Sequence, residues 1–178
     1  MKIAITGHTS GLGKELYSRY DSALGISRNE DSIAATENII ERIKDVDIFI
    51  NNAYDGFNQT ILLNELFNIW KDKEKTIVNI VSRSKYPNIS KGYLYSASKA
   101  SLSHLSNNLR FVSDKKCRII DINPGLLESD LPSLSYKEVA DTIQYCINLP
   151  IHIEIGEISL WHKTPYSVIS KLKDERKT

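Results

Sequence analysis

Lys2-Ile3-Ala4-Ile5-Thr6-Gly7-His8-Thr9-Ser10-Gly11-Leu12-Gly13-Lys14-Glu15-Leu16-Tyr17 is the stretch that decides the fold. An apolar, β-like run from Met1 to Ile5 breaks into three glycines and resumes as a helix, the order of strand, turn and helix that a phosphate site needs. At Gly7 the chain must turn sharply off a strand end. At Gly11 and Gly13 a side chain would hold the backbone away from a pyrophosphate, or the helix away from the sheet. Free amides and the positive dipole end at the helix start attract phosphates. The expected ligand is a dinucleotide. The glycine spacing, Gly-x-x-x-Gly-x-Gly, departs from the commoner Gly-x-Gly-x-x-Gly fingerprint.

Working outward, the chain alternates strand and helix. Strands are expected at residues 2–6, 23–27, 47–51, 76–81, 118–122 and 154–161, and helices at 11–20, 36–44, 59–71, 94–112 and 135–148. Apolar runs such as Ile48-Phe49-Ile50 suit strands covered on both faces. The pattern predicts an α/β fold: a doubly wound, Rossmann-like, mostly parallel sheet of six or seven strands with helices on both faces. Ser135 and Glu138 form a capping box that marks the start of the last large helix.

The 178 residues, 41% of them hydrophobic, suffice for one core, read as one domain over 1–163 with a basic tail over 164–178. A net charge of +1 gives no nucleic-acid footprint, and Lys171 to Lys177 reads as a solvated tail end. No apolar run reaches the length that spans a bilayer, and Gly7 cuts the opening run too early for a signal peptide. Cys117 and Cys146 fall in apolar segments as reduced core thiols, and a cytoplasmic protein is expected. Asn58-Gln59-Thr60 and Asn88-Ile89-Ser90 match the glycosylation pattern but have no secretory route. His8, His104, His152 and His162 lack ligand spacing, so no metal is expected.

In such a sheet, ligands sit beyond the carboxyl ends of the strands. Tyr95, Lys99, Leu102, Leu105, Leu109 and Val112 recur at helical spacing, so Lys99 points toward the sheet. A free phenol has a pKa near ~10, and a cation one turn away lowers it, making Tyr95 usable as a general acid or base.

Five motifs then fall in order: Thr6-Gly7-x-x-x-Gly11-x-Gly13, Asn51-Asn52-Ala53, Asn79-Ile80-Val81-Ser82, Tyr95-x-x-x-Lys99 and Pro124-Gly125-x-x-x-Ser129. Together they resemble the short-chain dehydrogenase/reductase family over nearly the whole chain. The resemblance implies a hydride transfer between a nicotinamide and a small carbonyl or alcohol. Ser82 would hold the carbonyl oxygen, Tyr95 would donate its proton, and Lys99 would tune the phenol and bind the nicotinamide ribose. A relay asparagine at the start of the preceding helix would be Asn58, with Asn64 the alternative. Cofactor contacts would come from Thr6, Gly7, Thr9, Ser10, Gly11, Leu12, Gly13, Ser27, Arg28, Asn51, Asn52, Ala53, Tyr95, Lys99, Pro124, Gly125, Leu127 and Ser129.

Where an acidic residue would read a ribose 2′-hydroxyl, this chain has Ser27 followed by Arg28, so NADP(H) is expected over NAD(H). Tyr54 replaces the glycine that usually follows Asn-Asn-Ala, which predicts a reshaped nicotinamide end. Short intervals after Ser27 and Ala53 favour six strands over seven, and the short segment 126–134 predicts a shallow pocket. Arg83, Lys85 and Lys91 border that pocket and would favour an anionic carbonyl compound.

On the helix at 59–71, Leu62, Leu66 and Ile69 form one apolar stripe and Leu63, Phe67 and Trp70 another. One sheet cannot easily cover both. With small Ala97, Ala100 and Ser101 on the next helix, this predicts a homodimer or homotetramer. Two other readings are a non-enzymatic NADP(H)-binding sensor of the same fold and a nucleotide-sugar epimerase. The epimerase reading needs a C-terminal substrate domain for which no room is seen after Trp161.

Overall fold

The computed structural model describes residues 1–28, 32–87 and 92–175. Its six strands are β1 (Ile3–Thr6), β2 (Leu24–Ile26), β3 (Ile48–Asn51), β4 (Thr76–Ile80), β5 (Arg118–Pro124) and β6 (Glu157–Leu160). They form one sheet in the order β2-β1-β3-β4-β5-β6, and every neighbouring pair is parallel. Six strands, not seven, make up the sheet.

Six α-helices accompany them: α1 (Gly11–Tyr17), α2 (Thr36–Ile43), α3 (Asn58–Trp70), α4 (Tyr93–Arg110), α5 (Tyr136–Asn148) and α6 (Tyr166–Glu175). Adjacent residues of each strand point to opposite faces, and the core divides accordingly. Ala4, Phe49, Ile77 and Ile119 pack under α2, α3 and α4. Ile5, Ile50, Val78 and Ile120 pack under α1 and α5. The capping box at Ser135 and Glu138 forms as the sequence indicates. Both cysteines are free and buried. No described helix is long and apolar enough to cross a membrane.

Residues 166–175 are helical, with Ile169 only 8% exposed and Val168 43% exposed. The double stripe on α3 is covered within the chain. Leu62, Leu63, Leu66, Phe67 and Trp70 are all buried within the chain, since α2 and α4 flank α3 and cover what the sheet cannot. Ile61 and Ile69 of α3, Tyr93 and Leu94 of α4, and Phe111 just after it remain exposed.

Candidate active site

The first turn of the site is set by backbone geometry. Gly7 and Gly11 have φ of +72° and +54°, in the left-handed region that favours glycine. A Cβ on Gly13 would lie 2.1 Å from the Gly7 carbonyl oxygen, so this glycine lets α1 close onto the turn. The Thr6 hydroxyl accepts the amides of Asn52 and Ala53, each at 2.9 Å, and the Asn52 side chain donates to the Thr6 carbonyl at 2.9 Å. These bonds tie the ends of β1 and β3 together.

Beyond that tie lies a cleft of about 330 Å³ lined by Gly7, Thr9, Ser10, Leu12, Gly13, Ser27, Arg28, Asn52, Ala53 and Tyr54, among others. Nine of the expected cofactor residues line the cleft; Gly11 does not, and a Cβ there would lie 3.4 Å from the Tyr136 ring. Thr6 and Asn51 are corrections. Both are fully buried with side chains engaged inward, so they brace the cleft and do not face it.

A second cleft, about 500 Å³, opens on the same rim beyond β4, β5 and β6. Ser82, Arg83, Tyr95, Gly125, Leu127, Trp161 and Ile169 are among its walls. Thr164, Pro165 and Ile169 of the C-terminal segment line one side of it, beside Leu126 and Leu127. Pro124 is buried behind it in β5. Ser129 is exposed and engaged in a turn with Leu131 and Ser133, and lines neither cleft.

Tyr95 stands at the junction. Its ring meets Tyr54 edge-on with centroids 4.9 Å apart, Tyr54 belonging to the first cleft and Tyr95 to the second. Burial pushes the Tyr95 phenol above its ordinary value, a hydrogen bond with Ser82 pulls it down, and Tyr54 raises it again. Ser82 lies two residues beyond β4 and accepts the Ser84 amide at 3.0 Å. Ser82 and Tyr95 are thus brought together, with Lys99 5.7 Å from the Tyr95 ring centroid.

Lys99 does not depress the phenol here. Its ammonium lies 5.7 Å from the Tyr95 ring centroid and donates instead to Gln59 Oε1 at 2.6 Å and to the Ile80 carbonyl at 2.7 Å. At 3% exposure, burial brings the Lys99 pKa down to about 7. Asn58, the expected relay residue, gives its amide to Asp55, and Asn64 gives its own to Glu65. Gln59 is the residue that meets the lysine. The signal was present in the sequence: Gln59 shares helical spacing with Leu62, Leu63 and Leu66, a polar side chain on a buried stripe.

Gln59 also anchors a row of polar groups across the sheet. Its Nε2 donates to the Asn51 carbonyl, Asn51 donates to Asn79, and Asn79 donates to Asp121 at 3.1 Å. Asn51, Asn79 and Asp121 are register partners on β3, β4 and β5. Burial raises the Asp121 carboxyl, while the Arg110 guanidinium, 3.0 Å away, opposes that shift. The expected anion-facing role of Lys85 is also corrected. Its ammonium turns inward to Ser103 and Glu157, because burial there favours a carboxylate partner over water. Lys91 and Asn88 to Ser90 lie outside the described residues.

No protein-family model matches the chain. An uncharacterised oxidoreductase of Staphylococcus saprophyticus is 28% identical over 94 residues, 47% of this chain and 40% of the relative, so the chain matches less than half of that protein's length. Among solved structures, serine dehydrogenase from Escherichia coli superposes with a TM-score of 0.72 at 18% identity, over 90% of this chain and 97% of the other. An alcohol dehydrogenase from Thermococcus sibiricus, complexed with 5-hydroxy-NADP, gives 0.73 at 16% identity over 93% and 99%. A short-chain dehydrogenase from Burkholderia cenocepacia in complex with NADP gives 0.74 at 17% identity over 99% and 94%. The chain has the fold of short-chain dehydrogenases.

Proposed function

We propose that this chain is a trimmed member of the short-chain dehydrogenase/reductase family, an NADP(H)-dependent oxidoreductase acting on a small carbonyl or alcohol. The observation that carries this reading is the pairing of Ser82 with Tyr95 in the wall of the second cleft, with Lys99 buried 5.7 Å from the Tyr95 ring and Tyr54 of the first cleft against its edge. The first cleft fits a dinucleotide: the turn at Gly7 leaves polar backbone open beside Thr9 and Ser10, and Arg28 stands at the far wall to meet a 2′-phosphate.

When bound, the reduced nicotinamide supplies the hydride that the carbonyl carbon accepts. Ser82 donates a hydrogen bond to the carbonyl oxygen and fixes its position. Tyr95 gives its hydroxyl proton to that oxygen, and the product is an alcohol. Lys99, held by Gln59 and Ile80 5.7 Å from the Tyr95 ring, would favour the phenolate left after that transfer only in its protonated form.

The exposed apolar residues Ile61, Ile69, Tyr93 and Leu94 on α3 and α4 suit a two-fold contact with a second copy. A dimer mass in light scattering is the expected result.

The test is NADPH consumption against a panel of small aldehydes, ketones and oxo acids. Turnover supports the reading. NADPH binding with no turnover on any compound would instead favour a cofactor-binding sensor.

A further inference from the structure

The second cleft has a charge bias that hydride transfer does not use. Arg83 and Lys163 line it beside Ser82 and Tyr95, and no carboxylate among the described residues does. The Arg83 guanidinium lies 4.0 Å from the centroid of the Trp161 ring. Stacking on an indole holds the planar group by its face and leaves the fork of N–H donors along its edge available.

Comparable cations are committed elsewhere. Lys85 meets Glu157, Arg110 meets Asp121, Lys115 meets Glu154, and Arg19 meets Glu15 and Asp141. Arg83 has no carboxylate partner among the described residues. A partly desolvated guanidinium at the wall of a cleft with apolar members such as Leu127 and Ile169 gains most from an anion that enters the cleft.

We infer that the molecule this cleft accepts is a short oxo acid or its phosphate counterpart, with its anionic group on the Arg83 fork. Ser82, Tyr95 and Arg83 line the same cleft, so one small molecule in it can present a carbonyl to the first two and an anionic group to the third. A volume of about 500 Å³ limits the body to a small molecule. The carbonyl end rests on the proposed reductase reading, whereas the anion end does not.

The experiment is calorimetric binding of 2-oxobutyrate, its neutral amide 2-oxobutyramide, and acetylphosphonate to the NADP⁺-loaded protein, for the wild type and Arg83→Met, which keeps an apolar stem against Trp161. The wild type is expected to bind at least one of the two anions roughly tenfold or more tightly than the amide, and Arg83→Met is expected to lose that preference. Tighter 2-oxobutyrate identifies a carboxylate site, and tighter acetylphosphonate a phosphate site. Equal binding of anions and amide, or an anion preference that survives Arg83→Met, would overturn the inference. Should Arg83→Met not fold, the anion-to-amide ratio in the wild type and its reduction in Arg83→Lys decide the matter. Turnover is read separately. Anion binding without NADPH oxidation removes the reductase reading alone, and oxidation that favours neutral ketones removes this inference alone.

Discussion

Lys99 donates to Gln59 Oε1 at 2.6 Å, so a helix-borne amide one residue beyond the expected asparagine holds the buried ammonium 5.7 Å from the Tyr95 ring centroid. Gln59→Leu removes that acceptor and leaves the Ile80 carbonyl alone. A hydrogen bond to a charged group contributes about 1.5–3 kcal/mol. The variant is expected to lose about 2 kcal/mol at neutral pH in urea melts and to have a lower kcat. Gln59→Glu keeps an oxygen in reach of Lys99 and raises its pKa, but loses the donor to the Asn51 carbonyl, so it is expected to recover only part of that stability. A positioning role also predicts that the two variants move the pH profile of kcat in opposite directions, which a purely structural role would not.

A second expectation follows from the burial of that lysine. Its folded pKa, about 7, lies below the unfolded value near ~10.4. Between those limits the unfolded chain binds more protons, so stability rises with pH across that window. Below about pH 7 both states are protonated and the slope vanishes. Thermal melts of the wild type and Lys99→Met between pH 6 and 10 should therefore diverge in favour of the wild type above about pH 7. Parallel curves would show that Lys99 is not desolvated as described.

Gly13→Ala places a methyl 2.1 Å from the Gly7 carbonyl oxygen, a backbone atom that cannot move without opening the turn. Overpacking of this kind costs about 1–3 kcal/mol, and here the lost geometry is also the cofactor cradle. Denaturant melts should show the destabilisation, and NADPH affinity should fall at least roughly tenfold, since 1.4 kcal/mol corresponds to that factor.

Arg28 sits on the wall of the first cleft with Ser27 beside it. NADPH is expected to bind at least about tenfold more tightly than NADH, a factor within the strength of one charge-assisted contact, and Arg28→Ala to erase most of that difference. Calorimetry with both cofactors checks it, and equal affinities in the wild type would contradict it.

The strand–helix order and the Tyr95/Lys99 pair were legible because both rest on local periodicity and punctuation. Gly7, Gly11 and Gly13 mark one turn, and Ser135 with Glu138 marks a helix start, wherever the rest of the chain goes. What the sequence hid depends on three-dimensional company. Thr6 and Asn51 match a cofactor motif, yet their side chains satisfy neighbouring strands. Lys85 appears free until β6 brings Glu157 to it. The α3 stripes suggested a partner because their cover comes from α2 and α4. Trp161 under Arg83 could not be foreseen, since residues 83 and 161 meet only through the β4–β5–β6 pairing.

The central claim is that Tyr95 is the proton donor of a reductase. NADPH oxidation over the carbonyl panel, measured for the wild type and Tyr95→Phe with NADPH binding followed in parallel, tests it most directly. The expected result is turnover by the wild type and a loss of about 100-fold or more in Tyr95→Phe, with NADPH still bound. Undiminished turnover by Tyr95→Phe would contradict the claim.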